Sequence, residues 1–269
     1  MGGKYCKIAT MRTRSLLRYL LPLLAAAIPL GSARAAKLTY RLYVFGVAVA
    51  EAAMTVDITP TGYRMALAYR TTGLGSLMSG DHLEENTGGA FAGDIPVPQE
   101  FLSNIRLKGH DRVTDMVYRA GLPSLAAIDP PNEAEREIVP PALTAHTIDP
   151  LSAIVAMLRR ASHTGNCDLS LRTYDGRRLE SFVARTGTEE ELPTSVHTDY
   201  AGHGLRCDYA SHVLAGFKNG DGRDEDARDR TGTFWLAPLI PGFPRLPVRA
   251  EVDTRFLGRA EMYLISVLP

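Results

Sequence analysis

Residues 38–70 read LTYRLYVFGVAVAEAAMTVDITPTGYRMALAYR, and their two-residue period decides the fold class. Leu38, Tyr40, Leu42 and Val44 share one face of an extended chain, with Thr39 and Arg41 on the other. After Gly46, Ala48, Ala50, Ala52, Met54, Val56 and Ile58 take one side, and Glu51, Thr55 and Asp57 fall opposite. Pro60, Thr61 and Gly62 signal a turn. Tyr63, Met65, Leu67 and Tyr69 then alternate with Arg64, Ala66, Ala68 and Arg70. The pattern is that of three antiparallel strands with one wet face.

The same alternation returns near the C-terminus. Val248, Ala250, Val252, Thr254 and Phe256 alternate with Arg249, Glu251, Asp253 and Arg255. Leu257, Gly258 and Arg259 lead into a last strand over 260–267. Weaker strand patterns cover 83–91, 99–107, 111–119, 168–174, 178–186, 194–200, 205–217 and 232–238. One segment has helical spacing instead. Asp149 can cap the free N–H groups and Pro150 suits the first helical position. Leu151, Ile154, Val155 and Leu158 follow at helical intervals, Arg159 and Arg160 suit the C-terminal dipole, and Gly165 ends the element. So apolar a helix belongs against a sheet. The Pro- and Glu-rich stretch 126–141 reads as a linker or a surface excursion. Without the helix the first half would leave an apolar face open, so one continuous sheet is expected.

Residues 1–35 read as a cleavable export signal. Lys4, Lys7, Arg12, Arg14 and Arg18 precede an apolar run over 19–30, and Ala33 and Ala35 have the spacing that signal peptidase reads. Met11 would begin a signal of more usual length. The run is shorter than the roughly 20 residues of a membrane span, and Pro22 and Pro29 interrupt it. The folded domain is then 36–269. Of the 30 basic residues, 6 lie in the leader, as do none of the 30 acidic ones, so 36–269 carries a net charge of −6. That speaks against a nucleic-acid partner, which needs a basic footprint. Cys6 leaves with the leader, and Cys167 and Cys207 form an even pair in an exported chain, which reads as a disulfide.

Few motifs carry chemistry. There is no G-x-S-x-G elbow and no phosphate-binding glycine loop. The histidines are dispersed, and His197, His203 and His212 lack metal-ligand spacing. Residues 219–230 (NGDGRDEDARDR) depart from the calcium-loop order and read as a solvated hairpin loop. Asp175-Gly176 is a tight-turn signal. The arginines after it, Arg177 and Arg178, could join Arg249 as an anion or ligand contact, since guanidinium forks suit carboxylate or phosphate. Trp235, the single tryptophan, could add an apolar contact. Glu84, Glu85, Asp175 and Asp208 are the carboxylates that a hydrolase of envelope polymers could use. No catalytic residue, cofactor or metal is assigned.

The chain resembles a family of exported proteobacterial proteins grouped as a domain of unknown function, found mostly in alphaproteobacteria. The resemblance rests on Tyr40, Tyr43 and Gly46, on Asp149-Pro150-Leu151-Ser152, and on Cys167 with the turn from Tyr174 to Arg178. Cys207, Trp235 before Pro238, and Pro247-Val248-Arg249 complete it. It implies a mainly β fold: a single curved antiparallel sheet, spiral or half-barrel, of roughly 11–14 strands with one amphipathic helix packed on its concave side. It also implies a periplasmic, cell-envelope protein. The expected function is non-catalytic binding of a lipid-like, amphipathic envelope component or of a protein partner. The alternative is the carboxylate hydrolase.

Overall fold

In the computed structural model, the chain separates into Met1–Ser32 and a compact unit, Ala33–Pro269. The structure describes residues 1–2, 35–78, 80–220, 222–254 and 258–269. The expected export signal therefore lies outside the described residues. The larger unit holds one antiparallel sheet of 13 strands. Its first seven strands are β1 (Ala36–Val44), β2 (Val47–Ile58), β3 (Gly62–Thr71), β4 (His82–Ala92), β5 (Ile95–Leu107), β6 (His110–Arg119) and β7 (Leu122–Asp129). The remaining six are β8 (Leu169–Tyr174), β9 (Leu179–Leu192), β10 (Gly202–Ala215), β11 (Arg230–Ala237), β12 (Leu246–Thr254) and β13 (Gly258–Leu268). Short helices α1 (Leu74–Met78), α2 (Asn132–Glu135) and α4 (Gly222–Asp226) lie in connections, and α3 spans Pro150–Thr164.

The strand order places β1 beside β13 in the middle and β7 and β8 at the two edges. Each half is thus a meander. The single long connection, from β7 to β8, must pass from one edge of the sheet to the other. It carries α3, which packs against β3, β4 and β5 on one side and β8 on the other. An apolar helix in that connection covers the concave face. Leu151, Ala153, Val155, Ala156, Met157, Leu158 and Ala161 are all buried, so the helix is enclosed on nearly every side. Its ends follow the expected chemistry: the Asp149 side chain accepts from the Ser152 N–H, and Gly165 closes it at φ 71°.

The sheet is open but curls toward closure. The turn after β8 reaches the far edge, where Arg177 donates to the carbonyls of Val113, Asp129 and Pro130. Asn132 donates to the Gly176 carbonyl in the same place. At the other end of the interior, the Arg159 guanidinium lies 3.8 Å over the Phe91 ring and donates to the carbonyls of Thr59, Pro60 and Gly93. The C-terminal end of α3 is therefore fastened to two hairpin turns and plugs that end of the curl.

Four sequence expectations are corrected. Residues 194–200 are a loop holding one isolated bridge, Ser195 to Thr198; its alternation reflects packing, with His197 set against the Tyr43 ring at 4.0 Å. Much of the expected linker is ordered structure, since β7 runs to Asp129, and Asn132 and Val139 are buried. β7 left little trace because an edge strand exposed along most of its length needs no strict alternation. The charge-rich 219–230 is anchored, not simply solvated: Asp226 is fully buried and accepts from Arg136 at 2.6 Å. Finally, a bulge between Leu42 and Tyr43 pairs Ala48 with Tyr43, which takes Ala48 off the inner face.

Candidate functional site

The concave side holds two chemically different regions. The first is a cavity of about 470 Å³. Six adjacent strands each send an apolar side chain into it: Leu67, Met54, Leu42, Met262, Val252 and Phe234, in the order β3, β2, β1, β13, β12, β11. They are the inward members of alternating strands, so one rule of strand geometry builds the whole wall. Ile154 of α3 closes the floor. Small residues create the space, because Ala250 lines the wall where a larger side chain would fill it. Two rings extend the apolar face beyond Phe234, with Tyr209 stacked on it at 5.2 Å and Phe182 stacked on Tyr209 at 5.7 Å. Polar groups come late in this wall: Tyr69, Thr71, Asp81 and Glu261.

Helix α1 forms one lip. Thr72 donates its N–H to the Val49 carbonyl, and Gly75 rides directly on that peptide. A Cβ at Gly75 would stand 2.2 Å from the Val49 oxygen, closer than any real contact. Gly75→Ala is expected to push α1 off β2 and to lower stability by about 1–3 kcal/mol, read as a lower thermal midpoint. An unchanged midpoint would show that α1 is not seated on β2.

The second region is polar and sealed. Asp149 and Ser152 are fully buried at the start of α3. The Ser152 hydroxyl donates to Asp149 at 2.5 Å and meets the Tyr63 hydroxyl at 2.6 Å; Thr87 donates to Asp149 at 2.9 Å. Burial raises the Asp149 carboxyl to about 6, against the opposing pull of its Ser152 and Thr87 hydrogen bonds. On the neighbouring strand face Glu85 accepts from Ser103 at 2.9 Å, and burial lifts it to about 7. The Tyr118 hydroxyl is buried without a hydrogen-bond partner among the described residues. An acid beside a serine suggests a relay, but Ser152 and Asp149 are shut off from solvent and neither lines the cavity. The arrangement is a helix cap welded to β3 and β4.

Of the carboxylates named from sequence, Glu85 and Asp175 feel one another, the charge of Asp175 adding to the rise of Glu85. Both oxygens of Asp175 are taken, Oδ1 by the Arg177 and Arg178 N–H groups and Oδ2 by the Arg178 guanidinium. Burial pushes Asp175 up, but the charge and hydrogen bonds of Arg178 outweigh it and hold the carboxyl below its ordinary value. Glu84 is exposed beside inward Glu85. Asp208 accepts from Arg206 and Thr233. None of the four lines the apolar cavity.

The arginines separate into two groups. Arg177 serves backbone carbonyls as described, and Arg178 is paired with Asp175 at 2.7 Å and Glu180 at 3.2 Å. Arg249 faces Trp235 across the β11–β12 ladder, and its guanidinium lies 4.8 Å over the indole. It also pairs with Glu251 at 2.6 Å, while Trp235 donates to Glu190 at 2.7 Å. The structure brings Arg249 and Trp235 together, and each of the four already has partners within the chain. Cys167 and Cys207 are joined in a disulfide, with Cα atoms 6.1 Å apart.

Sequence reasoning missed the cavity, although it placed most of its wall on inner strand faces. The available signal was the small residues Ala250 and Ala260 at lining positions of β12 and β13, which withhold volume where a packed core would use it.

A family described as a protein of unknown function (DUF3108) matches residues 39–265. The chain belongs to this family. No curated protein matches it. Among solved structures, a beta-barrel-like protein of domain of unknown function DUF1849 from Brucella abortus is similar, at 10% sequence identity and a TM-score of 0.48, over 87% of this chain and 97% of that one. As a member of the DUF3108 family the chain matches along nearly all of its sheet, from Thr39, the fourth residue of β1, to Ile265 within β13. Among the described residues no helix is long and apolar enough to cross a membrane.

Proposed function

We propose that this is a non-catalytic, exported protein of the periplasm that takes the apolar part of an amphipathic envelope component into the cavity of its curled sheet. The observation that carries this reading is the cavity of about 470 Å³ walled by apolar side chains from six adjacent strands. Its size falls in the range of small-molecule sites, roughly 300–1,000 Å³. Charge enters the lining at Asp81 and Glu261 alone, and the other polar groups are few: Tyr40, Tyr69 and Thr71. That division suits a ligand with an apolar tail and a polar head. Export is supported by the leader pattern of residues 1–35.

Binding by tail burial has a quantitative signature. Each buried methylene contributes about 0.8 kcal/mol, close to a fourfold gain in affinity. Across a series of saturated fatty acids, affinity should climb by up to that factor per methylene and level off when the cavity is full. Displacement of a fluorescent fatty acid measures it. Ala250→Trp, placed on the wall, fills the space and is expected to abolish displacement while the circular dichroism stays native. No binding at any chain length, together with no bound species in native mass spectra of protein taken from the periplasm, would remove the reading.

A further inference from the structure

Phe45 stands where turn chemistry argues against it. β1 and β2 are joined by two residues, Phe45 at φ 51° and Gly46 at φ 76°. Two successive left-handed residues make the tight hairpin turn that favours Asn, Asp or Gly. A bulky aromatic there is strained. Nothing inside the fold offsets the strain, because the Phe45 side chain is 82% exposed. Val47, 45% exposed, follows it and pairs with Val44, which lines the cavity. Leu74, 61% exposed, begins α1, which packs on β2 beside the same hairpin. Other large apolar side chains are exposed as well, Ile95 and Val97 on β5 and Leu122 and Leu125 on β7 among them, but none of these lies on the β1–β2 hairpin or on α1. Phe45, Val47 and Leu74 sit on two neighbouring segments at one lip of an apolar cavity.

We propose that this lip docks on a lipid bilayer, with Phe45, Val47 and Leu74 entering the interface, so that a tail passes between bilayer and cavity without crossing water. The proposal rests on the tail-binding reading. A protein partner fits less well: three side chains on a hairpin tip and one helix turn fall far short of the roughly 800 Å² per partner of a stable interface. The net charge of −6 over residues 36–269 means that attraction to anionic headgroups cannot drive the docking. It must be apolar insertion, weak and reversible, and insensitive to salt.

The test uses the folded unit, residues 36–269, so that the apolar leader does not itself bring the protein to lipid. Sedimentation with phosphatidylcholine vesicles is expected to carry the protein down in low and high salt alike. Phe45→Asn is expected to lower the partition coefficient about tenfold, and adding Leu74→Ser to abolish it. Phe45→Asn should also raise the thermal midpoint by about 2 °C, because Asn suits the turn. A Phe45 that served only structure would lower it. If the wild-type protein stays in the supernatant, or the double variant still sediments, the docking proposal is overturned. Fatty-acid displacement is measured on the same samples without vesicles, so failure of docking and failure of tail binding are read separately.

Discussion

Replacing both Cys167 and Cys207 with alanine is expected to lower the unfolding free energy by about 4 kcal/mol, the chain-entropy value for a closed loop of 40 residues. For a domain of this size that is a fall of about 10 °C in the thermal midpoint. The location adds a structural reason. Cys167 follows the Gly165 cap of α3 by two residues, and Cys207 lies within β10. The bond therefore ties the exit of the central helix to the strand face beneath it. Both cysteines are fully buried, so alanine leaves little polar mismatch. Differential scanning calorimetry of the oxidised protein and the double variant decides the matter. Equal midpoints would mean that the sheet alone restrains the helix exit.

Stability is also expected to fall as pH rises from about 5 to about 8. Glu85 ordinarily titrates at 4.5 and is lifted to about 7 in the folded chain, chiefly by burial. Asp149 is lifted from 3.8 to about 6 for the same reason. Between the ordinary and the lifted values the folded chain holds protons that the unfolded chain has released, and stability then declines with pH. The contribution is complete below the ordinary values and is gone once pH passes the lifted ones. At roughly 1.4 kcal/mol per pKa unit, Glu85 alone accounts for roughly 3 kcal/mol. Carboxyls held low, such as Glu135 by its hydrogen bond from Arg112, lose their contribution in more acidic solution. The stability maximum should therefore lie near pH 5. Glu85→Gln keeps an acceptor for the Ser103 hydroxyl and removes the charge, so it should raise stability at pH 8 and flatten the slope. Urea denaturation at pH 5 and pH 8 tests both. A wild-type curve that is flat, or that rises over this interval, would contradict the burial of these two acids.

Elements whose local chemistry and tertiary role coincide were legible early. The strands over 38–70 and 248–254 announce themselves because one side of each meets a core and the other meets water. Helix α3 is written in its cap, its proline and its closing glycine. The disulfide joins the two cysteines of residues 36–269, an even pair that the sequence itself displays. β7 and the loop 194–200 escape pattern reading for opposite reasons. An exposed edge strand does not have to alternate, and a loop laid over the outer face of the sheet acquires the pattern of a strand.

By itself, the sequence determined the fold class, the capped helix, the cysteine pair and which side of most strands turns inward. These depend on neighbours in the chain, on periodicity and on composition. Only the tertiary structure decided that β1 meets β13, that Arg249 rather than Arg177 or Arg178 lies over Trp235, and that Asp226 is buried. It also decided that six inner faces stop short of filling their own concavity. A cavity is the difference between the volume a curled sheet encloses and the volume its side chains and helix occupy. That difference depends on curvature, which comes from contacts between residues far apart in the chain.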